Sequence, residues 1–207
     1  MCERPPIGRG DAGLRRPARD ALRGTDAPLP RALVIRLGYL WAQWRHGKGG
    51  KDPTFRILPA IEVLREVGKL PRGANILDIG VRNLIEPRLL RKAGWQVTAV
   101  DLCPRAWGIR YADMHRLPFD SGTFDCVFAS HVLEHAHTPD LALKEICRVL
   151  RPGGLLWAAW PRGFSPNAHD RVDYGSAAAF VARLPRASWA LWEENQPTES
   201  RVLVRVA

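Results

Sequence analysis

From Arg31 to about Arg45, the apolar residues Leu33, Leu37, Leu40, Trp41 and Trp44 recur at helical spacing, which predicts an amphipathic helix. The stretch "HGKGGKDP" then breaks the chain, with Pro53 favouring a new start. Ile57, Ile61, Leu64 and Val67 next share one face, predicting a helix from about Thr54 to Val67, with Pro59 near its first turns, where a proline costs least. Beyond it the pattern changes to alternation of short elements. "ANILDIG" predicts a strand, "EPRLLRKAG" a helix closed by Gly94, and "QVTAVDL" a second strand. "TFDCVFAS" predicts a strand, "DLALKEICRVLR" a helix ended by "PGG", and "LLWAAWP" another strand. "SAAAFVARL" is a last helix, followed by the strands "SWALWEE" and "RVLVRVA".

Strands that are nearly continuous in apolar residues and alternate with helices indicate a parallel sheet covered on both faces. The short "NQPTES" link between the last two strands reads as a hairpin, adding an antiparallel edge. The expected architecture is α/β: a doubly wound, mostly parallel sheet with an antiparallel edge hairpin and N-terminal helices, six strands following from the pattern. Three regions follow from the pattern: residues 1–28 as a poorly ordered basic tail, 29–70 as a helical lid or flank, and 71–207 as the sheet domain.

Composition sets limits on this picture. With 207 residues and 46% hydrophobic content, the chain suits one domain with a sizeable core plus an extra segment. No apolar run approaches the roughly 18 residues of a membrane span, and no apolar signal core follows the opening residues. The four cysteines are scattered with no CxxC pair; buried reduced thiols and a cytoplasmic setting are expected. The net charge is +10, and residues 1–52 hold 11 Lys/Arg against five acids. Such an arm suits nucleic acid or anionic lipid, and equally suits a solvated tail. Only five of the 31 basic residues are lysine, a bias that GC-rich coding also produces.

The first strand ends in Asp78 and Gly80, where a sheet of this kind turns sharply beneath a ligand. Asp101 ends the second strand 23 positions after Asp78, the place of an acid that hydrogen-bonds a ribose. A dinucleotide needs close backbone approach to its pyrophosphate, hence several glycines. This loop keeps one, so the spacing fits an adenosine ligand and the loop argues against a nicotinamide or flavin dinucleotide.

Residues 75 to 161 resemble the class I S-adenosylmethionine-dependent methyltransferases, in particular those acting on small molecules. "ILDIG" is similar to motif I of that family, "VTAVDL" to its ribose-binding strand end, "YADMHRLPFDSGTFDCVFASHVLEH" to its third and fourth strands, and "EICRVLRPGGLL" to its helix and turn into strand five. The resemblance implies a Rossmann-like, seven-stranded form of the sheet and S-adenosylmethionine as cofactor. It places Asp78 and Gly80 beside the methionine portion, with Val81, Arg82 and Leu102 as further contacts. It gives Asp101 both ribose hydroxyls and Asp113, with Met114, the adenine edge. Ser130 and His131 would border the sulfonium and methyl. Arg82 and Leu84 stand where the family has glycines. Arg82 either points outward, contacts the methionine carboxylate, or blocks the site in a non-catalytic relative.

"SHVLEHAHTPD" concentrates histidines and acids just past the fourth strand. Methyl transfer is an in-line displacement, so the protein positions the nucleophile and often supplies a base. His131 is the leading base candidate and His135 the second, the latter also suited to supporting the next helix. His131, Glu134 and His135 spell H-x-x-E-H, a zinc hydrolase signature, but that signature needs a long helix and Pro139 follows too soon. Metal-assisted O-methyltransferases carry E-x-x-E-H here, giving a possible ligand set of His131, Glu134, His135 and His169; the reading adopted has no metal. The loop "PRGFSPNAHDRVDYG" and the helices at 31–67 are expected to line the acceptor pocket, with His169, Asp170, Arg171 and Tyr174 as polar candidates. The expected acceptor is a small molecule, methylated at oxygen or nitrogen. Two rivals remain: a nucleic-acid methyltransferase, suggested by the basic arm though no RNA-binding module is recognisable, and a cofactor-binding relative without chemistry.

Overall fold

A computed structural model describes residues 54–207 except Arg82 and Arg186. The basic tail at 1–28, the helix expected at 31–45 and the Arg82 expectation therefore lie outside the described residues.

Helix α1 (Thr54–Glu66) opens the described chain, with Pro59 inside it as anticipated. Then follow β1 (Asn75–Ile79), α2 (Ile85–Lys92), β2 (Gln96–Asp101), β3 (Ile109–Tyr111) and β4 (Phe124–Ser130). A single 3-10 turn, Leu133–His135, leads to α3 (Pro139–Val149), β5 (Leu150–Pro161), α4 (Ala177–Ala182), β6 (Ser188–Asn195) and β7 (Glu199–Val206). Seven strands form one sheet in the order β3-β2-β1-β4-β5-β7-β6. β1 to β5 run parallel, while β7 pairs antiparallel with both β5 and β6. The order reverses between β1 and β4, which sit side by side, and ligands of such sheets bind beyond the strand ends at that reversal.

Alternation along the strands builds two cores. Leu77, Ile79, Val127, Ala129, Leu156 and Ala158 face α3 and α4 with Leu143, Ile146 and Phe180. Ile76, Cys126, Phe128, Leu155 and Trp157 face α1 and α2 through Ile57, Ile61, Leu64 and Leu90. Helix α1 thus buries its apolar stripe on the sheet and does not line the cleft described below. The expectation that this part of the N-terminal region borders the acceptor is corrected on that ground.

Other boundaries differ for local reasons. α3 stops at Val149, and "RPGG" already belongs to β5. Leu150 pairs with Phe124 before the register shifts and Cys126 meets Leu155, so the glycines sit in a bulge. A Cβ on Gly154 would fall 2.8 Å from the Arg151 carbonyl oxygen, so the bulge needs a glycine there. Cys126 and Cys147 are buried, whereas Cys103 is exposed.

Candidate functional site

The turn after β1 comes first. Gly80 and Val81 donate their N–H groups to Val100 O at 2.9 and 3.2 Å, carrying strand pairing past the end of β1. Gly80 has φ 85°, and a Cβ there would lie 2.4 Å from Val132 Cγ2. Conformation and space both demand glycine at this place.

Asp101, closing β2, accepts the Cys103 N–H on Oδ1 at 2.6 Å. Asp113 Oδ1 accepts both the His115 N–H at 2.9 Å and its ring Nδ1 at 2.6 Å, and Thr138 N–H donates to His115 Nε2 at 3.3 Å. Burial alone would raise Asp113, but the His115 bonds outweigh it and hold the carboxyl below its usual value. The two carboxylates border a cleft of about 370 Å³ together with Gly80, Leu102, Met114 and His131. His135 lies on the same wall.

Other candidates are elsewhere. Asp78 is 0% exposed and, two positions from Ile76, points to the α1/α2 face rather than into the cleft. Burial raises it well above its usual value and the neighbouring Glu86 adds to this; Glu86 is itself pushed up to about 7 by burial. Val81 packs against Ala99 and Ile109 instead of facing the cleft. Ser130 is half-buried, paired with Ala159.

Past β4, the Leu133–His135 segment is a single turn, too short for the hydrolase signature's helix. The long loop after β5 is fastened to it: Arg171 and Val172 donate N–H groups to Glu134 O at 2.7 and 3.1 Å. His135 Nδ1 lies 3.1 Å from Asp170 Oδ1 and 3.0 Å from His169 O. Tyr174 is corrected from substrate candidate to core residue. Its hydroxyl donates to Leu133 O at 3.2 Å, and its ring packs edge-on against Trp160 and Phe180. His169 is exposed. Among the described residues no three His, Cys, Asp or Glu side chains converge as metal ligands, so the four-residue set His131, Glu134, His135 and His169 is not assembled.

Sequence reasoning missed three contributors. His115 and His137 line the cleft and pack ring to ring at 3.7 Å between centroids. Glu199 of β7 reaches His131, its Oε1 lying 3.5 Å from Nε2.

Residues 77–158 match the family described as a methyltransferase domain. This is an S-adenosylmethionine-dependent methyltransferase domain. Among relatives, the methyltransferase is 26% identical over 183 residues to a ubiquinone biosynthesis O-methyltransferase of Xanthomonas axonopodis pv. citri, covering 80% of this chain and 74% of that one. It is 28% identical over 153 residues to the protein of the same name from Xanthomonas oryzae pv. oryzae, covering 65% and 62%. Its fold is shared with the Burkholderia thailandensis 1,6-didemethyltoxoflavin-N1-methyltransferase, solved with bound 1,6-didemethyltoxoflavin and S-adenosylhomocysteine: TM-score 0.57, 21% identity, 88% of this chain and 93% of that one. No helix among the described residues is long and apolar enough to cross a membrane.

Proposed function

We propose that this methyltransferase acts on an oxygen or nitrogen of a small molecule, with His131 as the base. The observation that carries the reading is the convergence of Gly80, Asp101, Asp113 and His131 on one cleft at the sheet's reversal point. These residues fit the cofactor. The Gly80 turn lets backbone approach its methionine end, Asp101 offers carboxylate oxygens to the ribose hydroxyls, and Leu102 and Met114 give apolar contact beside Asp113 for the adenine. The bound cofactor would supply a methyl carbon activated by positive sulfur. The protein's own part is to orient the acceptor and remove its proton. The names of the relatives support small acceptors and both O- and N-methylation.

Calorimetry with S-adenosylhomocysteine tests the cofactor half. Asp101→Ala should weaken binding about tenfold or more, because charged hydrogen bonds are worth roughly 1.5–3 kcal/mol. Unchanged affinity would remove Asp101 from the site. For the chemistry, methyl transfer to a panel of phenols and amines should fall about 10²- to 10⁴-fold in His131→Ala, mostly in kcat. Full activity in that variant would end the base assignment.

One observation favours a nucleic-acid acceptor instead. Trp107 is 98% exposed and Tyr111 67% exposed, interleaved with exposed Arg105, which borders the cleft, and Arg110 on the edge strand, an arrangement suited to stacking on bases. Steeply salt-dependent binding to RNA oligonucleotides would support that second reading.

A further inference from the structure

His131 leaves β4 in the left-handed conformation, φ 52°, which a residue other than glycine keeps only where its surroundings insist on it. Its N–H donates to Ala159 O at 2.8 Å, tying the turn to the end of β5. So turned, the ring meets a strand beyond its immediate neighbour. Nε2 lies 3.5 Å from Glu199 Oε1 on β7, and Nδ1 lies 3.7 Å from Glu134 Oε1.

These two carboxyls are not equivalent. Glu134 is 3% exposed, and burial holds it above its usual value. Glu199 is anchored by the buried guanidinium of Arg201, whose Nε donates to the same Oε1 and which also approaches Glu194 Oε2 at 3.6 Å. Burial would raise Glu199, but the His131 ring and Arg201 together pull it down to about 2, so it stays ionised. The imidazole is also asymmetric. Nε2 is sealed from solvent and makes no hydrogen bond as it stands, its 3.5 Å approach to Glu199 being that of an ion pair, whereas the side chain as a whole is 19% exposed and borders the cleft. That exposure lies away from Nε2, which leaves Nδ1 as the nitrogen for a proton arriving from the cleft.

We infer that Glu199 is a positioning residue that holds His131 as its Nε2–H tautomer and thereby makes Nδ1 the atom that takes the acceptor's proton. This rests on the reading of His131 as the base. In the step, the acceptor's O–H or N–H bond breaks and its proton passes to Nδ1. With S-adenosylmethionine bound, the acceptor's freed electron pair would form the new bond to the methyl carbon, and the pair of the broken carbon–sulfur bond would leave on sulfur. The imidazolium formed is balanced by Glu199, much as a buried carboxylate serves the histidine of hydrolytic triads.

The test is nitrogen-15 NMR of the full chain with labelled histidine, assigned with a His131→Asn variant. It compares the wild type with Glu199→Gln and Glu199→Asp. Above the ring's titration, wild-type His131 should be the Nε2–H form. Glu199→Gln should shift it towards Nδ1–H, and Glu199→Asp should restore the wild-type form at least in part. S-adenosylhomocysteine affinity within about twofold certifies the fold. A wild-type ring in the Nδ1–H form overturns the inference, whether or not the variants fold. A tautomer unchanged in a folded Glu199→Gln variant overturns it too. With an accepted phenol or amine, Glu199→Gln should lose about tenfold or more in kcat at unchanged KM. If His131→Ala keeps full activity, the base reading fails by itself. If His131→Ala is inactive while Glu199→Gln is fully active, only the role of Glu199 fails.

Discussion

At the scale of single residues, the same acid type serves opposite ends even on one face of the sheet, for Asp78 pairs with Ala99, two positions before Asp101. Asp101 and Asp113 sit at the cleft, whereas Asp78 is shut among apolar side chains with Glu86 beside it. A raised carboxyl binds its proton more tightly in the folded chain than in the unfolded one. Its contribution is therefore fully present below the unfolded value and is lost as pH rises through the folded value, about 7 for Glu86. Glu86→Gln removes a charge that the fold resists forming. Its melting temperature should exceed the wild type's by about 2–4 °C at pH 8, the equivalent of about 1 kcal/mol, with the gap closing by pH 5. Thermal melts at the two pH values decide the point, and a gap of equal size at both would refute it. The β alternation alone could have warned that Asp78 shares a face with Ile76. The resemblance assigned the residue to the cofactor because motif position carries no depth: Asp78 lies within its strand, whereas Asp101 ends its own at the cleft.

At the scale of elements, strands and helices were legible because their apolar periods reflect burial directly. "ANILDIG" and "TFDCVFAS" became β1 and β4 within a residue or two. The cleft residues Gly80 and Asp101 were legible because a lone glycine and a strand end mark a turn, whereas Asp113 follows a strand of three residues, too short to show a period, and came only from the resemblance. What stayed hidden depends on contacts between distant segments. Glu199 reaches His131 from 68 positions away, and nothing local in "TESRV" announces it. The loop after β5 misled for the same reason, since Tyr174 reads as a polar loop residue until Trp160 and Phe180 close around it. Tyr174→Phe should cost about 1 kcal/mol, the net worth of its hydroxyl's bond to Leu133 O, with no change in KM for any accepted acceptor. A large KM effect without loss of stability would return Tyr174 to the substrate wall.

At the scale of the molecule, β6 and β7 come last in order, but β7 is an interior strand, sharing the sheet with β5 on one side and β6 on the other. Val202, Leu203 and Val204 are fully buried, so the hairpin completes both cores. A chain stopped at Ala187 would bare one whole edge of β5, whose Leu155–Trp160 run is buried in the complete sheet. It should be insoluble, or soluble only with strong binding of an apolar dye; a monomeric, cooperatively melting fragment would contradict this. The same topology sets a hazard in time. On the ribosome, β5 has no second neighbour while the 37 residues between Pro161 and Glu199 are made. At usual synthesis rates that interval is about 2–8 seconds. For those seconds the nascent chain offers an open apolar edge to any other strand nearby, so its yield should respond to growth temperature and chaperone supply more than its finished stability would suggest.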